Sequence, residues 1–522
     1  MGRNILFITT DQQRYDALGC NGSITRTPAL DNLAKTGINF TRANCQNAVC
    51  MPARTTMFTG RHPLSHGCVA NGYAYVSGEN GIASWLKRRA GYRTALIGKA
   101  HFQPMFDLFM RWPQNRLAAE GSNGPWLGFD YVELAHHGPM SGTHYTKWLI
   151  DNYPDRLKGF AMGISGKGGG DTGAPEVSYN PIPREAYHTD WTARRTVDYI
   201  DTLDPDDNWF IWMSFPDPHH PFDLPETEAR RYDWRDLPLP PGHPVTEEKA
   251  IEILSRKPEH WLNYYLGEFK NPEGGPATFR PRNFTHDQLR ELTALIYAKN
   301  ELIDEGCARV FARLRERGML DNTDIIYTSD HGDLQGDFGF MFKGPFHVDS
   351  LLRIPMIYKP AKSAGVKPAV VDQPVGQVDL FATFCDIAGV PVPHWNQGTK
   401  LPLSNKESRE RVLTSWDSQY AAVGMHFRTM YRDGFTITAY LPSTRNKGGK
   451  FPFIEAVWGD KGHIPKYRGT EGELYDHRED PLQWRNLWDD PKYKSLKSDL
   501  LADLWDSQPP PRKKPLKVVS PV

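Results

Sequence analysis

Up to about residue 390, short apolar runs alternate along the chain with longer stretches whose apolar residues return every three to four positions. Ile5–Ile8, Thr94–Ile97, Trp209–Phe215, Ile325–Tyr327 and Pro355–Tyr358 read as buried strands. Pro28–Lys35, Ile82–Arg89, Asp190–Leu203 and Asp287–Arg317 read as helices. Alternation on this scale predicts an α/β fold, with a large, mostly parallel central sheet sandwiched by helices. Such a sheet places its ligands beyond the carboxyl ends of its strands. Four of the five runs end there in polar or ionisable residues: Asp11, Gly98-Lys99-Ala100-His101, Asp217-Pro218-His219 and Asp330-His331.

Two regions break the alternation. Residues 120–185 are rich in Gly, including Gly168-Gly169-Gly170, and residues 222–285 are rich in Pro and charge. Both read as insertions that form lids or oligomer contacts. After a helical Val378–Ala388, the stretches Val412–Trp416, Gly424–Arg432 and Phe435–Tyr440 read as strands, with Arg432-Asp433-Gly434 as a hairpin turn. The expected organisation is a catalytic domain over 1–394 and a smaller C-terminal α+β domain over 395–522, carrying a short antiparallel sheet. The tail Pro509-Pro510-Pro511-Arg512-Lys513-Lys514 has no core-forming face, so it is expected to be disordered or to lie as an arm on a partner subunit. That basic tail favours a homo-oligomer, a dimer or tetramer.

Composition narrows the function by exclusion. Lys and Arg total 62, as do Asp and Glu, so no net charge favours nucleic acid or an anionic membrane as a partner. Apolar content of 39% with 24% charged residues describes a folded chain, and no stretch of apolar residues is long enough to span a membrane. Six cysteines without a CxxC pair do not make a disulfide scaffold. Met1-Gly2-Arg3-Asn4 runs into an apolar stretch too short for a signal-peptide core, and the expected location is the reducing cytoplasm.

Two kinds of chemistry are suggested by the residues themselves. Asp11 and the pair Asp330-His331 follow strands at one sheet edge, where carboxylates from separate elements suit a shared divalent cation. A single aspartate after a strand is also a common cap or turn residue. One imidazole among carboxylates leaves the metal open, since Ca²⁺ prefers oxygen and Mn²⁺ accepts nitrogen. Separately, Cys50-Met51-Pro52-Ala53-Arg54 opens a helix that runs to Thr59-Gly60-Arg61. A cysteine at a helix N-terminus beside an arginine is expected to hold a stabilised thiolate, and the same helix end favours an anionic substrate.

The Cys-x-Pro-x-Arg segment followed by Thr59-Gly60 resembles the signature of the type I sulfatases, within the alkaline phosphatase superfamily. Asp11, Gly98-Lys99-Ala100-His101, Pro218-His219-His220-Pro221, Asp330-His331-Gly332 and Lys343 resemble further motifs of that family, as do Glu473-Leu474-Tyr475-Asp476, Asp480-Pro481 and Asn486-Leu487. The resemblance implies an arylsulfatase-like enzyme that cleaves sulfate monoesters. Cys50 would be converted by a formylglycine-generating enzyme to 3-oxoalanine (formylglycine). Its hydrate, bound to a metal, would attack sulfur, give a covalent sulfo-enzyme hemiacetal and later expel sulfate. Asp11, Cys50, Asp330 and His331 would hold one Ca²⁺, or alternatively Mn²⁺. Arg54 would orient the nucleophile, and His101 would be the base for the collapse step. His219 or Lys343 would protonate the leaving oxygen, and Lys99, Lys343, His219 and Asn71 would bind the ester.

Gln12 stands where many members carry a second aspartate, and His331 where many carry asparagine. Both departures resemble the branch of phosphonate monoester hydrolases and choline sulfatases. In the former the Lys-x-His segment is replaced, so Lys99 and His101 favour sulfate monoesters over phosphonates and phosphodiesters. The same charges would nevertheless serve both. A glutamine oxygen at position 12 could stand in for the missing carboxylate. A two-metal phosphatase would need a second group of His and Asp ligands plus a Ser or Thr nucleophile, which the sequence does not offer in matching positions. A non-catalytic anion- or sugar-binding protein is the reading from another class, permitted by 15 Trp, 22 Tyr and 25 Phe.

Overall fold

Strand β1 (Asn4–Asp11) is buried along its whole length, and its alternation organises the layers on either side of it. Ile5 and Phe7 point into one apolar cluster with Met57 and Phe58 of the helix Cys50–Thr59, Ile82 and Leu86 of Ile82–Ala90, and Leu380 and Phe384 of Leu380–Ala388. Leu6 and Ile8 point the other way. They meet Leu30 and Leu33 of Pro28–Thr36, Ala193 and Ile200 of His188–Asp201, and Ile303 and Val310 of His286–Glu316. Helices therefore cover both faces of the sheet. The computed structural model describes all residues except 1, 106, 108, 140, 161–167, 270, 272, 276–278, 418–422, 446–464, 515, 517, 518 and 520–522.

On one side of β1 lies β5 (Trp209–Pro218), followed outward by β3 (Arg93–Gly98) and β4 (Tyr131–Leu134), all parallel. On the other side lies β6 (Thr323–Ser329), also parallel, and then β7 (Arg353–Lys359), which is antiparallel to it. Strand β2 (Ile38–Asn44) runs antiparallel to β7 and parallel to the short β8 (Ala369–Val371) and β9 (Val375–Gly376). The path is β4-β3-β5-β1-β6-β7-β2-β8, so five adjacent parallel strands open their carboxyl ends on the same edge. Strands β2 and β4 are additions to the expected set. β4 comes from the region 120–185 and makes part of it sheet edge rather than insertion, because Val132 and Leu134 are needed to close the core beyond β3.

A second sheet of four antiparallel strands, Arg411–Asp417, His426–Arg432, Phe435–Tyr440 and Gly472–Asp476, carries the helix Lys494–Asp506 on one face through Leu500 and Leu504. Asp433 and Gly434 both have positive φ, at 51° and 81°, as the tight hairpin between its middle strands requires. Region 222–285 is not a free lid over its whole length. Within it, the Lys257 ammonium donates to the Tyr475 hydroxyl and to the Gln483 carbonyl (2.7 Å), and the Trp261 indole donates to Glu473 (3.3 Å), tying that region to the antiparallel sheet. The described part of the C-terminal tail packs on its own chain. Its backbone finds carbonyls of residues 64–72, with the Arg512 N–H donating to Leu64 (2.8 Å) and the Val519 N–H to Gly72 (2.9 Å). Among the described residues, no helix is long and apolar enough to cross a membrane.

Gly98 closes β3 at φ 102°, and a Cβ added there would lie 1.9 Å from the Ser214 carbonyl oxygen of β5. Gly98→Ala is expected to cost about 2 kcal/mol or more and to lower the melting temperature measurably. Gly91→Ala is the control: φ there is 67° but no atom lies within 4 Å of the new Cβ. Its cost is expected at about 1 kcal/mol. Equal losses in the two variants would show that the β3–β5 crossing does not depend on that glycine.

Candidate active site

The helix Cys50–Thr59 starts at the mouth of the parallel strands and is buried at all its positions. Two side chains shape its first turn: Asn47 Oδ1 accepts the Val49 N–H (3.0 Å), and Asn71 Oδ1 accepts the Met51 N–H (3.1 Å). The helix ends at Gly60 with φ 65°, where a Cβ would come within 2.1 Å of Asn396 Oδ1 and 2.7 Å of Phe381 Cβ. That is a physical reason for the Thr59-Gly60 pair.

Arg54, fully buried one turn into this helix, joins the strand ends. Its Nη2 donates to Asp11 Oδ2 (3.0 Å) and its Nε to Asp330 Oδ2 (2.9 Å), while Nη1 reaches the Lys99 carbonyl (2.8 Å) and Ser214 Oγ (2.9 Å). Asp330 Oδ1 accepts the Gln12 and His331 backbone N–H groups at 3.0 and 2.8 Å. Burial and the repulsion of Asp11 push the Asp330 carboxyl up to about 6. Burial acts on Asp11 in the same sense, but the Lys99 ammonium and Arg54 outweigh it and hold Asp11 well below the usual carboxylate range.

Cys50 Sγ lies 3.3 Å from His331 Nε2, 3.7 Å from Asp11 Oδ1 and 3.8 Å from the Lys99 ammonium. One atom each of Asp11, Cys50, Asp330 and His331 falls within 4.8 Å of the others, all buried. His331 Nδ1–H donates to the Gly332 carbonyl (2.8 Å), which leaves the Nε2 lone pair facing the group. The expected thiolate is not supported. Burial pushes the Cys50 thiol up to about 12, with Asp11 adding to the shift and Lys343 and Lys99 opposing it. Desolvation and a neighbouring carboxylate outweigh the helix end.

The cationic side of the site is assembled from three strand ends and a loop. The Lys99 ammonium pairs with Asp11 and donates to His137 Nε2 (2.6 Å). Lys343 donates to Gln12 Oε1 (2.9 Å) and to His219 Nε2 (2.7 Å). His219 Nδ1–H donates in turn to the His220 carbonyl, and the His137 and His219 rings stack at 3.9 Å. The Gln12 oxygen is thus taken by Lys343, while its amide nitrogen donates to Asp333 (3.0 Å). His101 is buried at φ 51°, with neither ring nitrogen hydrogen-bonded among the described residues, edge-on to His136 at 5.5 Å. Burial holds the imidazoles of His101, His137, His219 and His331 well below their ordinary range, so all four are neutral. Asn71 bonds the start of the helix through its oxygen, and its Nδ2 donates to Glu273 at 3.1 and 3.3 Å.

The candidate catalytic, substrate-binding and metal-ligating residues singled out by sequence therefore meet at one sheet edge. His136, His137 and Glu273 were not foreseen. The first two follow β4 just as Lys99 follows β3, and the same signal, a short apolar run ending in polar residues, lies in Tyr131-Val132-Glu133-Leu134-Ala135-His136-His137. The structure also brings together a second possible ligand group that the sequence did not offer: Asp11, His137 and His219, again within 4.8 Å. Its imidazole lone pairs already accept from the two lysines.

Residues 3–390 match the sulfatase family model. The chain belongs to the sulfatase family. This sulfatase is 27% identical over 508 residues to the uncharacterized sulfatase YidJ of Escherichia coli, with 96% of this chain and 87% of that protein covered. It is 27% identical to an arylsulfatase of Clostridium perfringens, with 95% and 92% covered. Its fold is like that of the phosphonate monoester hydrolase of Agrobacterium radiobacter, with a TM-score of 0.75, 22% identity, and 97% and 95% of the two chains covered.

The sulfatase depends on Arg54 to keep two buried carboxylates together. Arg54→Leu is expected to cost about 3–5 kcal/mol in unfolding free energy, because it leaves Asp330 buried without its guanidinium partner and Asp11 with Lys99 alone. Without the guanidinium the Asp330 carboxyl, already raised by burial and Asp11, rises further in the folded state, so protonation favours folding and part of the loss is expected to return as the pH falls from 8 to 5. Denaturant unfolding at the two pH values checks this. A variant as stable as the parent, or one that weakens further on acidification, would contradict it.

Proposed function

We propose that this sulfatase hydrolyses sulfate monoesters with position 50, converted from cysteine to formylglycine, as its nucleophile. The observation that carries the reading is the buried group of Asp11, Cys50, Asp330 and His331 at the start of the Cys-x-Pro-x-Arg helix. Two carboxylates, one imidazole aimed by its Nδ1–H bond and an oxygen-bearing side chain at position 50 suit a hard or borderline divalent cation, Ca²⁺ or Mn²⁺. Such a cation, when bound, would offset the charge of the ester and make a hydroxyl at position 50 more acidic. A buried thiol with its proton held so firmly is a poor nucleophile, whereas a hydrated aldehyde has one hydroxyl for attack and a second for release of sulfate.

The remaining roles belong to the chain itself. Arg54 fixes Asp11 and Asp330 and so orients position 50. Lys99 and Lys343 would receive the nonbridging oxygens of the ester, and their charges count for more because both are buried. The Lys343–His219 pair, joined at Nε2, supports the reading that one of the two protonates the leaving oxygen. His101, buried and with both nitrogens unpartnered among the described residues, is the base that takes the proton when sulfate leaves. Asn71 helps hold the ester. The two lysines fill the Asp11, His137 and His219 group with fixed positive charge, which favours this reading over a two-metal phosphatase. Phosphonate monoesters and phosphodiesters remain the second substrate class, since they present the same single negative charge to the same cations. The six unpaired cysteines suit a cytoplasmic enzyme.

Cys50→Ala is expected to abolish turnover of an aryl sulfate with the circular dichroism spectrum unchanged; more than trace activity in a clean preparation would remove position 50 as nucleophile. Lys99→Ala is expected to lower kcat for the aryl sulfate by roughly 100-fold or more, as loss of one transition-state donor does. A change confined to KM would assign Lys99 to ground-state binding instead. Parallel assays on an aryl sulfate, a phenylphosphonate ester and a phosphodiester separate the two substrate classes.

A further inference from the structure

Glu273 places a carboxylate in a site otherwise built to receive an anion. Its side chain accepts from Asn71 Nδ2 at 3.3 and 3.1 Å, and the oxygen of the same amide caps the Met51 N–H beside Cys50. The loop that carries it is anchored on the catalytic lysine. Asn271 Nδ2 donates to the Lys343 carbonyl (2.7 Å), and the Glu273 N–H donates to Asn271 Oδ1 (3.1 Å). Gly344 makes room for this contact: at φ 154°, an added Cβ would lie 2.3 Å from Asn271 Nδ2. Among the described residues, the Glu273 side chain bonds Asn71 and no lysine or arginine; burial raises its carboxyl above the usual range, and Lys343, the Asn71 bond, His220 and Lys99 oppose the rise in favour of the carboxylate.

A carboxylate held there weakens the attraction of the site for any anion, and its effect grows with each negative charge the ligand brings. We propose that Glu273 makes the site selective for monoanionic esters by penalising the second negative charge of a phosphate monoester. The proposal rests on the sulfate-ester reading. A sulfate monoester and a phosphonate monoester each carry one negative charge, whereas a phosphate monoester above its second ionisation, near pH 6, carries almost two. The cations Arg54, Lys99 and Lys343 attract all three ligands, so a nearby negative charge is what tells the dianion apart.

The test uses three esters with the same p-nitrophenyl leaving group, a sulfate, a phosphate and a phenylphosphonate, at pH 8 with the full-length, metal-loaded enzyme. Glu273→Gln keeps an oxygen to accept from Asn71 and removes the charge. The ratio of kcat/KM for phosphate over sulfate is expected to rise by roughly tenfold, while the ratio of phosphonate to sulfate stays within about twofold. A phosphate-to-sulfate ratio that does not move would overturn the proposal. The same comparison by calorimetric binding of p-nitrophenyl phosphate and p-nitrophenyl sulfate to Cys50→Ala, with and without Glu273→Gln, needs no turnover. There too the affinity for the phosphate is expected to gain on that for the sulfate, and equal gains for both would overturn the proposal. A parent enzyme silent on the sulfate ester would count against the sulfate-ester reading alone, since the binding pair still decides the role of Glu273.

Discussion

Two carboxylates cannot stay ionised side by side in a dry interior unless a cation lies between them, and in this sulfatase Arg54 is the cation that joins Asp11 to Asp330. Four hydrogen bonds from its guanidinium are shared among both aspartates, the Lys99 carbonyl and Ser214 Oγ, so a single planar group links β1, β3, β5 and β6. The backbone is shaped around this bridge. Gly98 lets β3 turn against β5, and Gly60 ends the Arg54 helix where Phe381 and Asn396 leave no room for a side chain. The geometry at position 50 is therefore a consequence of how a buried charge is compensated.

Once Arg54 sits between the aspartates, the rest of the charge pattern is constrained. Lys99 closes on Asp11 from one side, and Lys343 reaches in through Gln12 and His219 from the other. The imidazoles between them stay neutral and serve as acceptors for the lysines. Gln12 illustrates the economy of the arrangement: a second carboxylate there would meet Asp333 at hydrogen-bond distance, whereas the amide donates to Asp333 and accepts from Lys343 at once.

Much of this was legible in the sequence because strands buried on both faces leave an unbroken apolar run, and the residues just past such a run form the sheet's ligand edge. Asp11, Lys99, His101, His219, Asp330 and His331 all announce themselves in this way. His137 did not, because β4 is only four residues long and sits before a Gly-rich stretch that hides it. Glu273 was illegible for a different reason: it reaches the site through Asn271 and the Lys343 backbone, a contact with no local pattern. The Cys50 thiol was misjudged because a helix end can be seen in sequence, whereas the burial that outweighs it cannot. The helix Lys494–Asp506 and the path of the tail have no local pattern, because each is organised by contacts far away in the chain.

The assignment of position 50 as an oxygen nucleophile is tested most directly by the mass of the tryptic peptide Ala43–Arg54, taken from enzyme that turns over a sulfate ester. That peptide carries Cys45 as well as Cys50, so alkylation counts the thiols. The expected result is one alkylated cysteine, at position 45, and an aldehyde at position 50 that reacts with a hydrazide. Two alkylated cysteines and no aldehyde in fully active enzyme would contradict the nucleophile and the chemistry built on it.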